Sequence, residues 1–348
     1  MILNAYAILD GLVSLLRLGL ALPVIWLAWS SWRRWRLARN AAERDPIEDR
    51  FYLLVLLAGL LLSLNVLSWP LLYLLLQSYV PEWPDVMCIY GVTRIGSGSV
   101  GSSRHLPPLL MALQGMKPLL VFLSGTVFAL HLVNRRTRTA PFTGRIFLGL
   151  MAVGLLATLD AAAELTYLAI PKKEEFLSSG CCTSLFEREH GPSRFVPPQM
   201  LGSNAADWLV PTYYAGNAAA VAAFLGAVWM SYRRKSSRWL FTIIPTVAVA
   251  ALLLNWVFLT EVAAPRLVHQ PNHHCPYDLV SRAPGSVAAV VLFVGATFSA
   301  GWACCIESFG RGLEPRSAVD RLVRAFLLAA AVAESTATVV LSILLASS

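Results

Sequence analysis

The segment IFLGLMAVGLLATLDAAAELTYLAI, residues 146–170, is a mainly apolar run that is long enough to cross a membrane. About 20 apolar residues in a helix span the hydrocarbon core of a bilayer, and a helix satisfies its own backbone hydrogen bonds there. Two acidic residues, Asp160 and Glu164, nevertheless lie inside the run. The segment therefore predicts a membrane-spanning helix that carries a polar position within the bilayer.

Seven further segments of this kind occur along the chain. Of its 348 residues, 57% are hydrophobic and 14% are charged, whereas soluble domains carry roughly 25% charged residues. The eight predicted spans are 8–31, 51–80, 108–133, 146–170, 208–231, 239–262, 286–308 and 325–346. We expect an all-α polytopic membrane helix bundle that forms a single integral membrane domain over residues 1–348 and is surrounded by the lipid bilayer.

The basic residues lie mainly in the four short segments that join alternate spans. These segments, 33–50, 134–145, 233–238 and 311–324, hold 18 of the 28 lysines and arginines. The positive-inside rule places them in the cytoplasm and both termini outside, with a bacterial inner membrane as the expected location. The net charge of +8 is explained by these orientation signals, so we expect no nucleic-acid partner.

A spacing pattern links three of these basic segments to cysteines on the other side. In each case an arginine at an inner edge is followed by a cysteine 36 to 38 residues later. The pairs are Arg50 with Cys88, Arg145 with Cys181 and Cys182, and Arg238 with Cys275. A weak internal repeat of helix hairpins explains this spacing, although any alternating topology gives similar distances.

The predicted outer loops, 81–107, 171–207 and 263–285, contain four of the six cysteines and five of the six histidines. This one-sided distribution predicts an extracytoplasmic cysteine and histidine cap. The candidate residues are Cys88, Cys181, Cys182, Cys275, His273 and His274.

Three kinds of chemistry suit the residues of the predicted cap. Disulfide bonds form readily in extracytoplasmic spaces, and thiolates with imidazoles can hold a transition metal or haem at the outer face. Thiol exchange is the third kind, but the segment HCPYD at 274–278 lacks the second cysteine of a CxxC motif. The cap predicts an accessory protein in redox or metal handling that works with other membrane or periplasmic proteins.

Ionisable residues inside the spans support a different function. Lys117, Asp160 and Glu164 fall at similar depths on adjacent antiparallel spans, roughly 9 to 15 Å below the outer ends at the helical rise of ~1.5 Å per residue. Arg17 and Glu334 both fall near the middle of the membrane and form a second expected pair. Because buried charges are costly, these groups predict a small-solute or ion transporter. An ion pair that only fixes helix packing is the simpler explanation.

Several motifs of soluble enzymes are absent from the sequence. It contains no P-loop, no Rossmann glycine fingerprint, no HExxH and no GxSxG. The inner loops are also too short for a cytosolic catalytic domain, so an enzyme is not expected. A third function remains open, that of a structural membrane subunit whose outer loops are joined by disulfide bonds.

Overall fold

The computed structural model contains eight helices that are long and apolar enough to cross a membrane, as the hydropathy pattern predicts. The structure describes residues 4–38, 45–83, 86, 88–96, 101–137, 140–172, 205–233, 240–271, 273–310 and 316–348. Within these residues the regular secondary structure is helical. The chain is therefore an integral membrane protein of the all-α class.

Internal contacts divide the chain into two compact units, Met1–Ser179 and Gly180–Ser348. The described helices of the first unit are α1 (Ala5–Leu37), α2 (Asp45–Tyr79), α3 (Ile89–Arg94), α4 (Leu106–Asn134) and α5 (Thr143–Ala169). The four long helices form a closed ring, because α1 packs against α2 and α5, and α4 packs against the same two helices. The contact between α1 and α5 is the most extensive of the four, and that between α2 and α4 is the least extensive.

Small side chains explain the close contact between α1 and α5. Ala21, Ala157 and Ala161 are fully buried between the helices. A Cβ atom on Gly154 would lie 2.6 Å from Cγ1 of Ile25, so this position has room only for glycine unless Ile25 moves. In lipid the association of helices depends on such close packing, because the solvent is as apolar as the side chains.

The predicted outer ends of the first unit are joined by side-chain hydrogen bonds. Asn4 at the start of α1 donates to Ser78 near the end of α2 (2.8 Å), and Ser103 before α4 donates to the carbonyl of Pro171 after α5 (3.0 Å). Gly96 has a φ of +86°, and a Cβ there would lie 2.1 Å from the Ser103 carbonyl oxygen. These contacts hold the helix ends in register around the interior of the ring.

The second unit contains a ring with the same order of packing. Its described helices are α6 (Ala205–Tyr232), α7 (Leu240–Phe258), α8 (Ala264–Leu267), α9 (Pro276–Arg282), α10 (Gly285–Gly310) and α11 (Arg316–Ser347). A π-helical turn, Leu259–Ala263, joins α7 to α8. In this ring α6 packs against α7 and α11, and α10 packs against the same two helices.

Candidate functional site: a buried charge cluster in the first unit

All four long helices of the first unit contribute to one buried polar cluster. Asp160 and Glu164 are four residues apart on α5 and therefore share one helix face, and Ser14 and Arg17 share a face of α1 in the same way. The cluster consists of Ser14, Arg17, Asn65, Lys117, Asp160 and Glu164, and each of these residues is 0% exposed.

The charged side chains form a closed ring of alternating sign. The guanidinium of Arg17 pairs with Asp160 and lies 3.0 Å from Oε2 of Glu164. The ammonium of Lys117 lies 2.9 Å from Oδ2 of Asp160 and 2.8 Å from Oε2 of Glu164. Each cation thus contacts both carboxylates, and the four formal charges cancel. This balance matters because an unpaired charge away from water is strongly unfavourable.

Neutral side chains fix the orientation of the charged ring. Ser14 donates a hydrogen bond of 2.7 Å to Oε2 of Glu164, and Nε of Arg17 donates one of 3.1 Å to Oδ1 of Asn65. The amide of Asn65 in turn donates to the hydroxyl of Ser124 on α4 at 3.4 Å. Glu164 therefore accepts from three side chains, Ser14, Arg17 and Lys117, and is the central acceptor of the cluster.

A third carboxyl group, that of Asp10, lies next to the charged ring. Asp10 is on α1 and is 0% exposed, and its carboxyl group makes a side-chain hydrogen bond with that of Glu164. It interacts electrostatically with Glu164, Lys117 and Arg17. The site therefore holds three carboxyl groups and two cations, so it is neutral when one carboxyl group carries a proton.

Polar groups lead from Asp10 toward the predicted outer end of the unit. Asp10 interacts electrostatically with Tyr79 and Tyr167, which are both buried. Beyond the end of α5, the ammonium of Lys172 lies 4.4 Å from the ring centre of Tyr167 and 5.3 Å from that of Tyr79. Burial lowers the pKa of Lys172 to about 8. This lysine can therefore gain and lose a proton near neutral pH.

Most of the buried side chains next to the cluster on its opposite side are apolar. They include Leu54 and Leu61 of α2, Leu120 of α4, and Val153 and Ala157 of α5, which are fully buried. Polar side chains are buried on this side as well, namely Ser31, Ser124, Asn134 and Thr143. The interior toward the predicted inner end is therefore mainly, but not uniformly, apolar.

The lowered pKa of Lys172 predicts a specific pH dependence of stability. Between about pH 8 and the ordinary lysine value of 10.5, the unfolded chain binds the Lys172 proton more fully than the folded protein does. The contribution of Lys172 to the free energy of unfolding should therefore rise with pH across this window. Thermal unfolding in detergent, compared between the wild type and Lys172→Gln, measures this contribution. Identical pH profiles for the two proteins would contradict it.

The histidines of the predicted cap lie in the second unit and contact acidic groups. Nε2 of His273 is 3.2 Å from Oδ2 of Asp278, and Nδ1 of His274 is 3.4 Å from Oε2 of Glu261 and 3.1 Å from the Thr260 carbonyl oxygen. Both histidines are 6% exposed.

The surroundings of Asp278 have opposing effects on its charge. Burial on its own would raise the pKa of Asp278, but the hydrogen bond from His273 and the charge of Arg282 outweigh it, so the pKa is lowered. Asp278 therefore stays ionised at neutral pH and holds its two neighbours in place.

The cysteines of the predicted cap are only partly described. Cys88 and Cys275 are buried, and each immediately precedes a short helix, α3 or α9. Cys181 and Cys182 lie outside the described residues. Among the residues that are described, no three His, Cys, Asp or Glu side chains come close enough together to hold a metal ion.

Sequence position alone finds part of the cluster. It groups Lys117 with Asp160 and Glu164, and these three side chains are in contact. It pairs Arg17 with Glu334, whereas the carboxylates that bind the Arg17 guanidinium are those of Asp160 and Glu164. It does not single out Asp10, although Asp10 lies two helical turns before Arg17 and on the same face of α1.

Comparisons with protein-family models, with curated proteins and with solved structures found no match to this chain. The fold defines an integral α-helical membrane protein.

Proposed function

We propose that the protein is a proton-coupled membrane transporter for a small solute or ion. The proton-exchange centre is the cluster of Asp10, Arg17, Lys117, Asp160 and Glu164 in the first unit. One observation carries this proposal: three fully buried carboxyl groups face only two buried cations. Such a centre is neutral when it holds one extra proton and negatively charged when it does not, so a proton can be bound and released there.

The geometry supports one route for the proton. A proton from water at the predicted outer end reaches Asp10 past Lys172 and the two tyrosines, and then passes from the carboxyl group of Asp10 to that of Glu164. Asp10 loses the proton that Glu164 gains, so the total charge of the centre does not change in this step. A protonated Glu164 binds Arg17 and Lys117 less strongly, which loosens the contacts among α1, α4 and α5.

A purely structural role explains less of what is observed. Two cations and two carboxylates already form a balanced network that can fix the packing of four helices. Asp10 adds a further buried carboxyl group beside Glu164, so the carboxyl groups outnumber the two cations. The balanced network does not need this third carboxyl group, whereas a proton-binding site uses one.

The positive-inside distribution supports an outward orientation for Lys172 and Asp10, with the other end of the unit toward the cytoplasm of a bacterial inner membrane. A redox or metal-handling role of the outer loops stays a prediction, as do disulfide bonds between their cysteines. The described part of that cap offers less support than the charge cluster, since His273 and His274 already contact carboxylates.

Proton flux into liposomes tests the proposed function. The purified protein is reconstituted with a pH-sensitive dye inside, and a pH gradient is imposed with and without a mixture of small ions and neutral solutes. We expect the wild type to move protons faster than protein-free liposomes do. Asp160→Asn and Glu164→Gln should reduce the rate to that background, because each removes a titratable carboxyl group of the centre.

Ser63→Ala is a matched control, because Ser63 is a polar residue in a span and its hydroxyl bonds to the Gly59 carbonyl of its own helix. It should retain the wild-type rate. A wild type that never exceeds the background, or neutralised variants that keep full flux, would exclude a proton-coupled transporter.

A further inference from the structure

The two units share sequence at corresponding helices. The end of α1 reads WSSWRR at 29–34, and the end of α6 reads WMSYRR at 229–234. Near the middle of the last helix, AAAELT at 161–166 corresponds to AVAEST at 331–336. These alignments place Asn217 at the position of Arg17 and Glu334 at the position of Glu164.

The loops and the hydrogen bonds follow the same correspondence. Both units have a cysteine, one further residue and a tyrosine at the start of a short helix, CIY at 88–90 and CPY at 275–277. In the first unit the α1 side chain donates to Asn65 of α2. In the second unit Asn217 of α6 donates to Asn255 of α7 at 2.9 Å, and Asn255 donates to Glu334 at 2.9 Å. With the same order of packing in both rings, the units are internal repeats.

One difference between the repeats has an electrostatic consequence. Arg17 supplies a positive charge beside Glu164, but its counterpart, Asn217, is neutral. The predicted spans of the second unit, 208–231, 239–262, 286–308 and 325–346, contain Glu261, Glu307 and Glu334 and no lysine, arginine or histidine. Glu334 is 2% exposed. Among the described residues, the charge state of Glu334 is affected by its burial and by the hydrogen bond from Asn255, and no cation is among these influences.

Two further polar side chains of α6 are near Glu334. Asn217 is 2% exposed, is linked to Glu334 through Asn255, and its Oδ1 has no hydrogen-bond partner within the described residues. Tyr213, which is 0% exposed, lies one turn before Asn217 on the same face of α6, interacts electrostatically with Glu334 and makes a side-chain hydrogen bond with Thr338. The buried carboxyl group of Glu334 thus has neutral oxygen-bearing side chains near it.

We propose that the second unit binds one small monovalent cation, Na⁺ or a proton, between Glu334, Asn217 and Tyr213. The bound charge takes the place that the Arg17 guanidinium fills in the first unit. Carboxylate, amide and hydroxyl oxygens suit a hard cation, and a single carboxylate balances a single positive charge. This site goes beyond the proton-exchange centre, because it lies in the other repeat and uses none of its residues.

The groups that face Glu334 make it the titratable centre of the site. Tyr213 faces it from α6, and α7 contributes the neutral Asn255. The buried residues of α10 at this level are apolar, namely Phe293, Ala296 and Ala300. Thr338, one turn along α11, donates its hydroxyl to the Glu334 carbonyl oxygen at 2.8 Å.

Thermal unfolding of the full chain in detergent tests the proposal. The unfolding temperature, Tm, is measured in NaCl and in choline chloride of equal ionic strength, and between about pH 5 and about pH 9. If Na⁺ is bound, NaCl raises the Tm of the wild type by a few degrees and leaves Glu334→Gln unchanged. If a proton is bound, NaCl has no effect, and the wild-type Tm falls with rising pH relative to Glu334→Gln. Equal responses of the two proteins to both variables would overturn the proposal.

A second variant keeps the test informative if Glu334→Gln does not fold. Asn217→Arg introduces the cation of the first repeat, so its Tm should lose the dependence on Na⁺ and on pH that the wild type shows. Retention of the full dependence in Asn217→Arg would also overturn the proposal. Ser335→Ala is the matched control on α11, since its hydroxyl bonds to the Ala331 carbonyl of the same helix, and it should respond as the wild type does.

Discussion

Replacing Lys117 with methionine is expected to lower the free energy of unfolding by about 3–5 kcal/mol, which is the usual cost of removing one partner of a buried ion pair. Lys117 contacts both Asp160 and Glu164 at 2.8 to 2.9 Å, so the variant leaves two buried carboxylates facing Arg17 alone. Unfolding of the reconstituted or detergent-solubilised protein measures the loss. Met111→Leu is the control, because Met111 lies on the same helix and is 77% exposed.

The double variant Lys117→Met with Asp160→Asn separates charge balance from packing. It leaves Arg17 paired with Glu164, so the centre is again neutral. We expect its loss of stability to be smaller than the sum of the two single losses, by about 1–3 kcal/mol for side chains in direct contact. Strictly additive losses would mean that Lys117 and Asp160 do not stabilise one another.

Replacing Asp10 with asparagine is expected to abolish proton exchange with little change in stability. The ring of four charges stays balanced without Asp10, and asparagine has a similar size and an amide that can still donate a hydrogen bond to Glu164. A pH jump on the purified protein should show that the variant takes up about one proton fewer than the wild type. Flux into liposomes should fall to that of protein-free liposomes.

Two further measurements make the Asp10 result decisive. The infrared band of a protonated carboxyl group should be present in the wild type and lost in Asp10→Asn. Asp10→Glu, which keeps a titratable group at this position, should recover part of the flux. If Asp10→Asn takes up as many protons as the wild type, Asp10 is not the proton-binding group of the centre.

Hydropathy predicts the number of spans well because each must be apolar over the thickness of a bilayer. It also gives the depth of each charged residue, which is how Lys117 is matched with Asp160 and Glu164. Depth does not tell which helices are neighbours. Arg17 and Glu334 have similar depths as predicted from the sequence, but α1 packs against α5 of its own unit, and the arginine therefore meets other carboxylates.

Asp10 is hard to recognise from sequence for a different reason. It lies only five residues from the start of α1, where an acidic side chain usually reaches the interfacial water. Tyr79 and Tyr167, which interact electrostatically with Asp10, come from distant parts of the chain, so their proximity is not visible in the sequence. The sequence signal for an internal repeat is likewise weak, and the shared packing order of the two rings adds to it.

The unequal helix contacts of the first unit indicate where the proposed transporter would open. Small residues lie between α1 and α5, which share the most extensive contact of the ring and carry Arg17, Asp160 and Glu164. The helices α2 and α4 share the least extensive contact. If the proposed function is correct, we expect α2 and α4 to part before α1 and α5 do, with Pro118 inside α4 as the point of bending.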